Sequence, residues 1–293
     1  MGIQFFGEFL IDRWVITRGQ LIEALELQEY RNLRFGTVAV SKKYLSEEQV
    51  EQINEQQKAK DIKFADLAVS MDLITQEQAR EILTFQKNNH LYLGEALLEL
   101  GHITEDILER ELAIFKEEQA RYALESVDVP EGLEAAPVIE VSVDLTRKMF
   151  VRIVGIPIKV GAGKLDDGGG DGQGGEYHLS IALPFEGGLP LRYLLSVSSD
   201  VAVLIATAIL KEDATRESES VVEDAVKEFC NIICGNAVAK LAQVGVQIDI
   251  APPETLSAIP QPQDGTDHVV FPVHLSEGGL DLRFLVPSSR ATA

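Results

Sequence analysis

Apolar positions along this chain follow two rhythms, and the change from one to the other divides it. Over roughly the first 120 residues they fall at helical spacing, as with Leu21, Ile22, Ala24, Leu25 and Leu27. Further on, the apolar runs at 177–183, 191–197, 269–275 and 280–286 are short and bounded by Gly and Pro, which predicts strands. They pair as two hairpins, each turning on Glu-Gly-Gly, at 186–188 and 277–279. One helix is expected between the hairpins from Ser198 or Ser199 through Lys211, and a second from about Ser220 to Val244. Residues 150–157 read as helix or strand and run into an extended 158–160. The fold class expected is multidomain: an all-α domain of helical-hairpin repeats, followed by an α/β (α+β) domain.

The helical part is an internal repeat. Gly7, Gly36, Ala65 and Gly94 each close an aromatic or apolar triplet and recur every 29 residues. Ten residues after each stands a hydroxyl, Thr17, Ser46, Thr75 or Thr104, suited to cap a helix. Gln20, Gln49 and Gln78 complete a capping box in three copies, while the fourth has Ile107 there. Each copy therefore reads as a short helix, a turn and a longer capped helix, and the copies must pack on one another to bury their faces. Small third residues suit a close helix approach.

Periodicity fades near Leu124, and Pro130, Gly132 and Pro137 mark a boundary. The domains expected are 1–124, a linker over 125–138, and 139–293. The glycine-rich run 161–175 is not a phosphate loop, because Lys164 is followed by Leu165 and no helix pattern follows. Asp166, Asp167 and Asp171 lack the glutamate a calcium loop needs. The run reads as a mobile hairpin tip.

Charge excludes some partners. Of the net −21, residues 1–124 carry 14 basic against 22 acidic side chains and the rest 12 against 25. With no basic stripe, nucleic acid and anionic membrane are disfavoured as partners. No apolar run approaches the ~20 residues of a membrane span, and the N-terminus shows no secretory pattern, so a cytoplasmic location is expected. Cys230 and Cys234 lie on adjacent turns of one helix, read as packed free thiols.

Chemistry concentrates on that helix. With Val226 as reference, Val222, Phe229, Ile233 and Ala237 fall within about 60° of it. Asp224, Glu228, Asn231 and Gly235 gather on the opposite side. A helix-interior glycine costs roughly 1 kcal/mol, and on a solvent face it fills no core gap. A bare backbone beside an outward Glu and Asn lets another macromolecule come close.

The helical copies resemble the repeat of the MshEN domain at the front of type II secretion and pilus ATPases, over about 5–115. The resemblance rests on the Gly anchors, the Ile-Thr steps and the closing Gln28, Gln57 and Gln86, with Phe115 in the fourth copy. Some members bind cyclic di-GMP through a leading Arg. Only Arg34 matches it; Phe5, Lys63 and Tyr92 do not. The later region, about 140–288, resembles the CheC/CheX/FliY phosphatase family of bacterial chemotaxis, CheX above all. Asp224-x-x-x-Glu228-x-x-Asn231, continuing through Gly235-Asn236-Ala237, carries that resemblance. It implies that the aspartyl phosphate of a CheY-like receiver is the substrate. Glu228 and Asn231 would then be catalytic, and Asp224 and Gly235 would lie at the docking surface. No cofactor is expected in this chain, because magnesium would come with the receiver. Alternatives are a non-catalytic adaptor binding a receiver and a secretion or pilus component, or a cyclic di-GMP receptor through the repeats.

Overall fold

The computed structural model describes residues 5–59, 61–119, 127–166, 177–260, 266–276 and 278–287. The chain forms two compact units, Phe5–Gln119 and the described residues from 127 onward. In the first, each 29-residue copy is a short and a long helix: α1 (Phe6–Asp12) with α2 (Arg18–Arg31), then α3 (Phe35–Ser41) with α4 (Glu47–Ala59). The pattern repeats in α5 (Phe64–Ser70) with α6 (Gln76–Asn88), and in α7 (Leu93–Glu99) with α8 (Glu105–Gln119). The three expected capping boxes form at Thr17, Ser46 and Thr75. A Cβ built on Gly7, Gly36 or Gly94 would lie 2.5, 2.8 or 2.6 Å from Leu21, Val50 or Leu108, the same position of each long helix. The larger partner occurs only opposite glycine. The third copy, with Ala65 in place of glycine, carries Ala79 where the others have Leu or Val.

The copies pair in a nested order. Copies two and three share one core, around Val38, Ile53, Leu67 and Ile82. Copies one and four share another, around Phe9, Leu10, Ala96 and Leu97. Two of the closing glutamines bond across the pairs. Gln86 Nε2 donates to the Leu33 carbonyl (2.9 Å), tying copy three to the chain two residues before α3, while Gln57 Nε2 makes the equivalent bond locally, to the Ile62 carbonyl (2.6 Å) two residues before α5. Gln28 Nε2 makes the matching bond from copy one to Leu91 (2.9 Å). Copy four answers with Phe115, whose ring meets those of Phe6 and Phe9, both at 5.1 Å between centroids. Arg34 and Lys63 stand exposed at the N-caps of α3 and α5.

After each short helix the backbone turns through a left-handed residue: Trp14, Lys43, Asp72 and Gly101, at φ 59°, 59°, 55° and 71°. Only the last is glycine. Trp14 is 94% exposed and buries almost none of its ring. An L-residue held there costs about 1–2 kcal/mol, and glycine's greater freedom when unfolded returns about 0.5–1 of that. Trp14→Gly is therefore expected to raise the thermal midpoint of the first unit by up to a few degrees, gaining ~0.5–1 kcal/mol. A lower midpoint in a calorimetric scan would contradict this.

In the second unit, α9 (Ala136–Met149), α10 (Ser199–Leu210) and α11 (Glu219–Gln243) cover one face of an antiparallel sheet. Its strand order is β2 (Lys164–Asp166), β7 (Thr266–Phe271), β9 (Leu280–Pro287), β4 (Leu191–Val197), β3 (Leu179–Gly187), β5 (Ile248–Ile250), with β6 (Glu254–Thr255) also on β3. The short strands β1 (Lys159–Val160) and β8 (Val273–His274) pair separately. Period-two alternation sends Ile181, Leu183, Tyr193, Leu195, Leu282 and Phe284 into the helix-side core.

Three expectations change. The stretch 125–138 is not a free linker over its described part: Val127, Val129 and Leu133 pack on the core, and α9 starts at Ala136. The run 161–175 is not wholly a hairpin tip, because Lys164–Asp166 pairs with β7 as an edge strand. Its remainder, with Asp167 and Asp171, lies outside the described residues. The apolar run 269–275 is not one strand; Pro272 interrupts it, and Val273–His274 turns to β1. Glu277 of the second turn is not among the described residues.

The sheet face away from the helices is partly polar. Arg283 binds Asp281, and Asp166 at 3.2 Å. His268 is 1% exposed, and among the described residues neither ring nitrogen has a hydrogen-bond partner. Burial, then Arg283, lowers its pKa, against smaller opposing effects of Asp166 and Asp267. The folded state thus prefers the neutral ring, while the unfolded chain takes up a proton near pH 6.5. Stability conferred by the neutral ring is complete above that pH and declines as pH falls from it through the folded-state pKa. Unfolding midpoints measured between pH 7.5 and 5 should fall, and His268→Phe should flatten that slope. An unchanged slope in the variant would refute the assignment.

Candidate functional site: the polar face of α11

Ser218 opens α11 by accepting from the Val221 amide, and the helix then runs 25 residues. Its rotation is fixed by what it buries: Val222, Val226, Phe229, Cys230, Ile233, Cys234 and Ala237 are all within the core against α9, α10 and the sheet. Phe229 meets Phe150 edge-on at 5.1 Å. Nothing in that packing allows the helix to roll, so the opposite face is presented outward.

That face carries Asp224, Glu228, Asn231 and Gly235, spread over about 16 Å of axis at 1.5 Å per residue. Asp224 and Glu228 are exposed; Asn231 and Gly235 are partly so. Glu228 and Asn231 stand three residues apart, which places their Cβ atoms ~5–6 Å from each other. Among the described residues, neither side chain takes part in a hydrogen bond or ion pair. A Cβ built on Gly235 meets no atom within 4 Å, so that backbone borders open space. The packing therefore brings the four residues named from sequence onto one accessible surface.

Electrostatics around the face are organised by residues the sequence did not single out. Lys227 Nζ donates to Glu223 Oε1 at 2.6 Å and approaches Asp224 at 3.9 Å. Thr255 of β6 donates to the same Glu223 oxygen at 2.5 Å. The Lys227 ammonium, then the Thr255 hydroxyl, holds the Glu223 carboxyl below its usual range. The brace commits Lys227 to Glu223. The spacing 223, 227 is an ordinary helical ion-pair signal, whereas the distance in sequence to Thr255 hides the third member.

The cysteines are not part of the site. Both are buried and free, and burial pushes both thiols up. Asn236, next to Gly235, is buried with its Nδ2 donating to the Ile232 carbonyl at 2.7 Å, a bond within the helix. Among the described residues no three metal-binding side chains are grouped to hold an ion, and no helix is long and apolar enough to cross a membrane.

The model of the family "Chemotaxis phosphatase CheX" matches residues 179–273, which include all four positions of the face. No match was found among curated proteins. Solved structures show similarity to the second half. A CheC-like superfamily protein from Shewanella sp. PV-4 is 19% identical, covering 52% of this chain and 98% of its own, with a TM-score of 0.44. A chemotaxis protein CheX from Desulfovibrio desulfuricans is 18% identical over 52% and 97%, at 0.41. A CheX crystallised with CheY, BeF3 and Mg2+ from Borrelia burgdorferi is 21% identical over 52% and 95%, at 0.38.

Proposed function

We propose that the second unit is a phosphatase for the aspartyl phosphate of a CheY-like receiver, with Asn231 orienting the attacking water. The observation that carries this reading is the Asn231 carboxamide, unengaged among the described residues on an accessible helix face inside the CheX-like region. An acyl phosphate already has a good leaving group. What it lacks is a water held in line with the scissile bond, which a rigid carboxamide supplies by accepting from and donating to it. The water oxygen bonds to phosphorus, the bond to the acyl oxygen breaks, and a carboxylate and inorganic phosphate leave. Glu228 meets a cationic side chain of the receiver, and Asp224 extends the negative edge. Gly235 lets the receiver backbone come close. Magnesium belongs to the receiver and supplies charge neutralisation at the phosphoryl oxygens. On this reading the repeats are a docking or sensory module, with cyclic di-GMP and a secretion or pilus component as candidate ligands; titrating residues 1–125 with the nucleotide tests the former.

The test mixes the full chain with acetyl-phosphate-labelled receivers and follows phosphate loss. Acceleration by the wild type supports the proposal; none across several receivers removes it, and binding without acceleration assigns an adaptor instead. Glu228→Lys should weaken receiver affinity about tenfold, the effect of reversing one docking charge, while the rate at saturation changes little. Equal affinity of variant and wild type would take Glu228 out of the docking surface.

A further inference from the structure

The helix α10 is apolar nearly all round. No charged residue stands between Asp200 and Lys211, and Thr207 is the single polar side chain of residues 201–210. Val201, Ala202, Ile205 and Ala206 take the buried stripe. Val203, Leu204, Thr207 and Ala208 form the opposite stripe and are partly exposed. A surface helix ordinarily turns charged side chains outward, and one without a polar face is a helix that something covers. Thr207 does not supply such a face, because its hydroxyl accepts from the Ala214 amide at 3.1 Å.

The position of the stripe says what covers it. α11 lies over β3 and β5 at one edge of the sheet, with α10 packed along it. Its edge flank carries Glu223 and Lys227, at about 60° and 100° on the wheel that sets Val226 at 0°. There Glu223 is bonded to Thr255 of β6. α10 therefore takes the other flank, where Val221 and Ile232 follow Glu228 at about 220° and 240°. Both are partly exposed. The outward surface of α11 thus leads from Asn231 and Glu228, over Val221 and Ile232, onto the outer stripe of α10.

Size asks for that extension. Four residues along ~16 Å of a helix about 10 Å across offer on the order of 160 Å². A specific protein interface buries about 800 Å² of each partner. On the edge flank the adjoining surface is charged, whereas on the α10 flank it is uncharged and apolar, as the centre of an interface is.

We propose that the outer stripe of α10, with Leu204 at its middle, is a second docking surface for the receiver that α11 serves. The receiver meets it with an apolar patch lying beside the cation that faces Glu228. This inference rests on the phosphatase reading and adds how one receiver is chosen over another. Receivers alike at the phosphoryl site are told apart by whether that neighbouring patch is apolar.

Leu204→Glu and Leu204→Lys, each in the full chain, are compared with the wild type against CheY-like receivers, by affinity and by dephosphorylation rate at saturating receiver. Both variants should bind about tenfold more weakly, as a charge set against an apolar contact does, with the saturated rate unchanged. An apolar contact suffers from either sign. Weakening by one charge and strengthening by the other would show long-range electrostatics instead and overturn the proposal. Wild-type acceleration with undiminished affinity of both variants would overturn it too, and leave the phosphatase reading standing; no acceleration by the wild type removes both. Sedimentation tests the other occupant: a wild-type dimer that both variants dissociate, at unchanged receiver affinity, would give the stripe to a second copy. Should either variant unfold, Leu204→Gln, uncharged and a good helix former, is measured in its place, and affinity equal to the wild type sinks the docking surface.

Discussion

Asn231→Ala should lower the rate of receiver dephosphorylation about 10²-fold, near the cost of removing one oriented polar group from a reacting centre. The side chain is partly exposed and makes no hydrogen bond among the described residues, so truncation takes nothing from the fold. Thermal unfolding should stay within ~0.5 kcal/mol of the wild type, as for surface substitutions. Receiver affinity should also hold, because Glu228 rather than Asn231 is assigned to docking. The loss must therefore appear in the rate at saturating receiver. A variant that retains full rate would show that water is positioned by another group; one that loses binding in proportion to rate would show that Asn231 holds the partner.

Phe229→Ala tests the other side of the same helix. The ring is fully buried and packs edge-on against Phe150. Removing it forfeits transfer free energy and leaves a cavity, together ~3–5 kcal/mol. Against a domain stability of typically 5–15 kcal/mol, that is enough to bring much of the second unit to the edge of unfolding at moderate temperature. Denaturant titration followed by tyrosine fluorescence should show the midpoint displaced with the slope preserved. A loss under about 1 kcal/mol would mean that the α11 seat repacks freely. The argument that this face stays fixed while its opposite meets a partner would then fail.

How much of this was legible in the sequence varies with the range of the interactions. The short–long helix repeat was fully readable, because its caps and glycine contacts lie within one copy, ten to fourteen residues apart. The nested pairing was not: Gln28, Gln57 and Gln86 stand at one position of the period, but the carbonyls that Gln28 and Gln86 reach, Leu91 and Leu33, are set by tertiary arrangement. The left-handed turn was hidden because only Gly101 among its four occupants signals it. The helix α9 is legible in the sequence. Pro137 marks a start and not a break, because proline is favoured in a first helical turn, and Val138, Ile139, Ser142, Val143, Thr146 and Met149 follow at helical spacing, all buried. The polar face of α11 was legible because 25 residues give the wheel seven turns to average over. Its brace to Thr255 was not, since a two-residue edge strand carries no periodic signal. The buried His268 gave no sequence cue either; an imidazole between Asp267 and Val269 reads as surface alternation until the register of β2 and β9 encloses it.

The closed, inside-out arrangement of the four copies has an evolutionary corollary. Each copy's apolar face is spent on one designated partner, first on last and second on third, so deleting any single 29-residue block strands another with its face uncovered. Shortening such a module means taking out mated units together, the inner two or the outer two. Its length is a quantity that changes by duplets, unlike an open solenoid, which can grow or shrink by one.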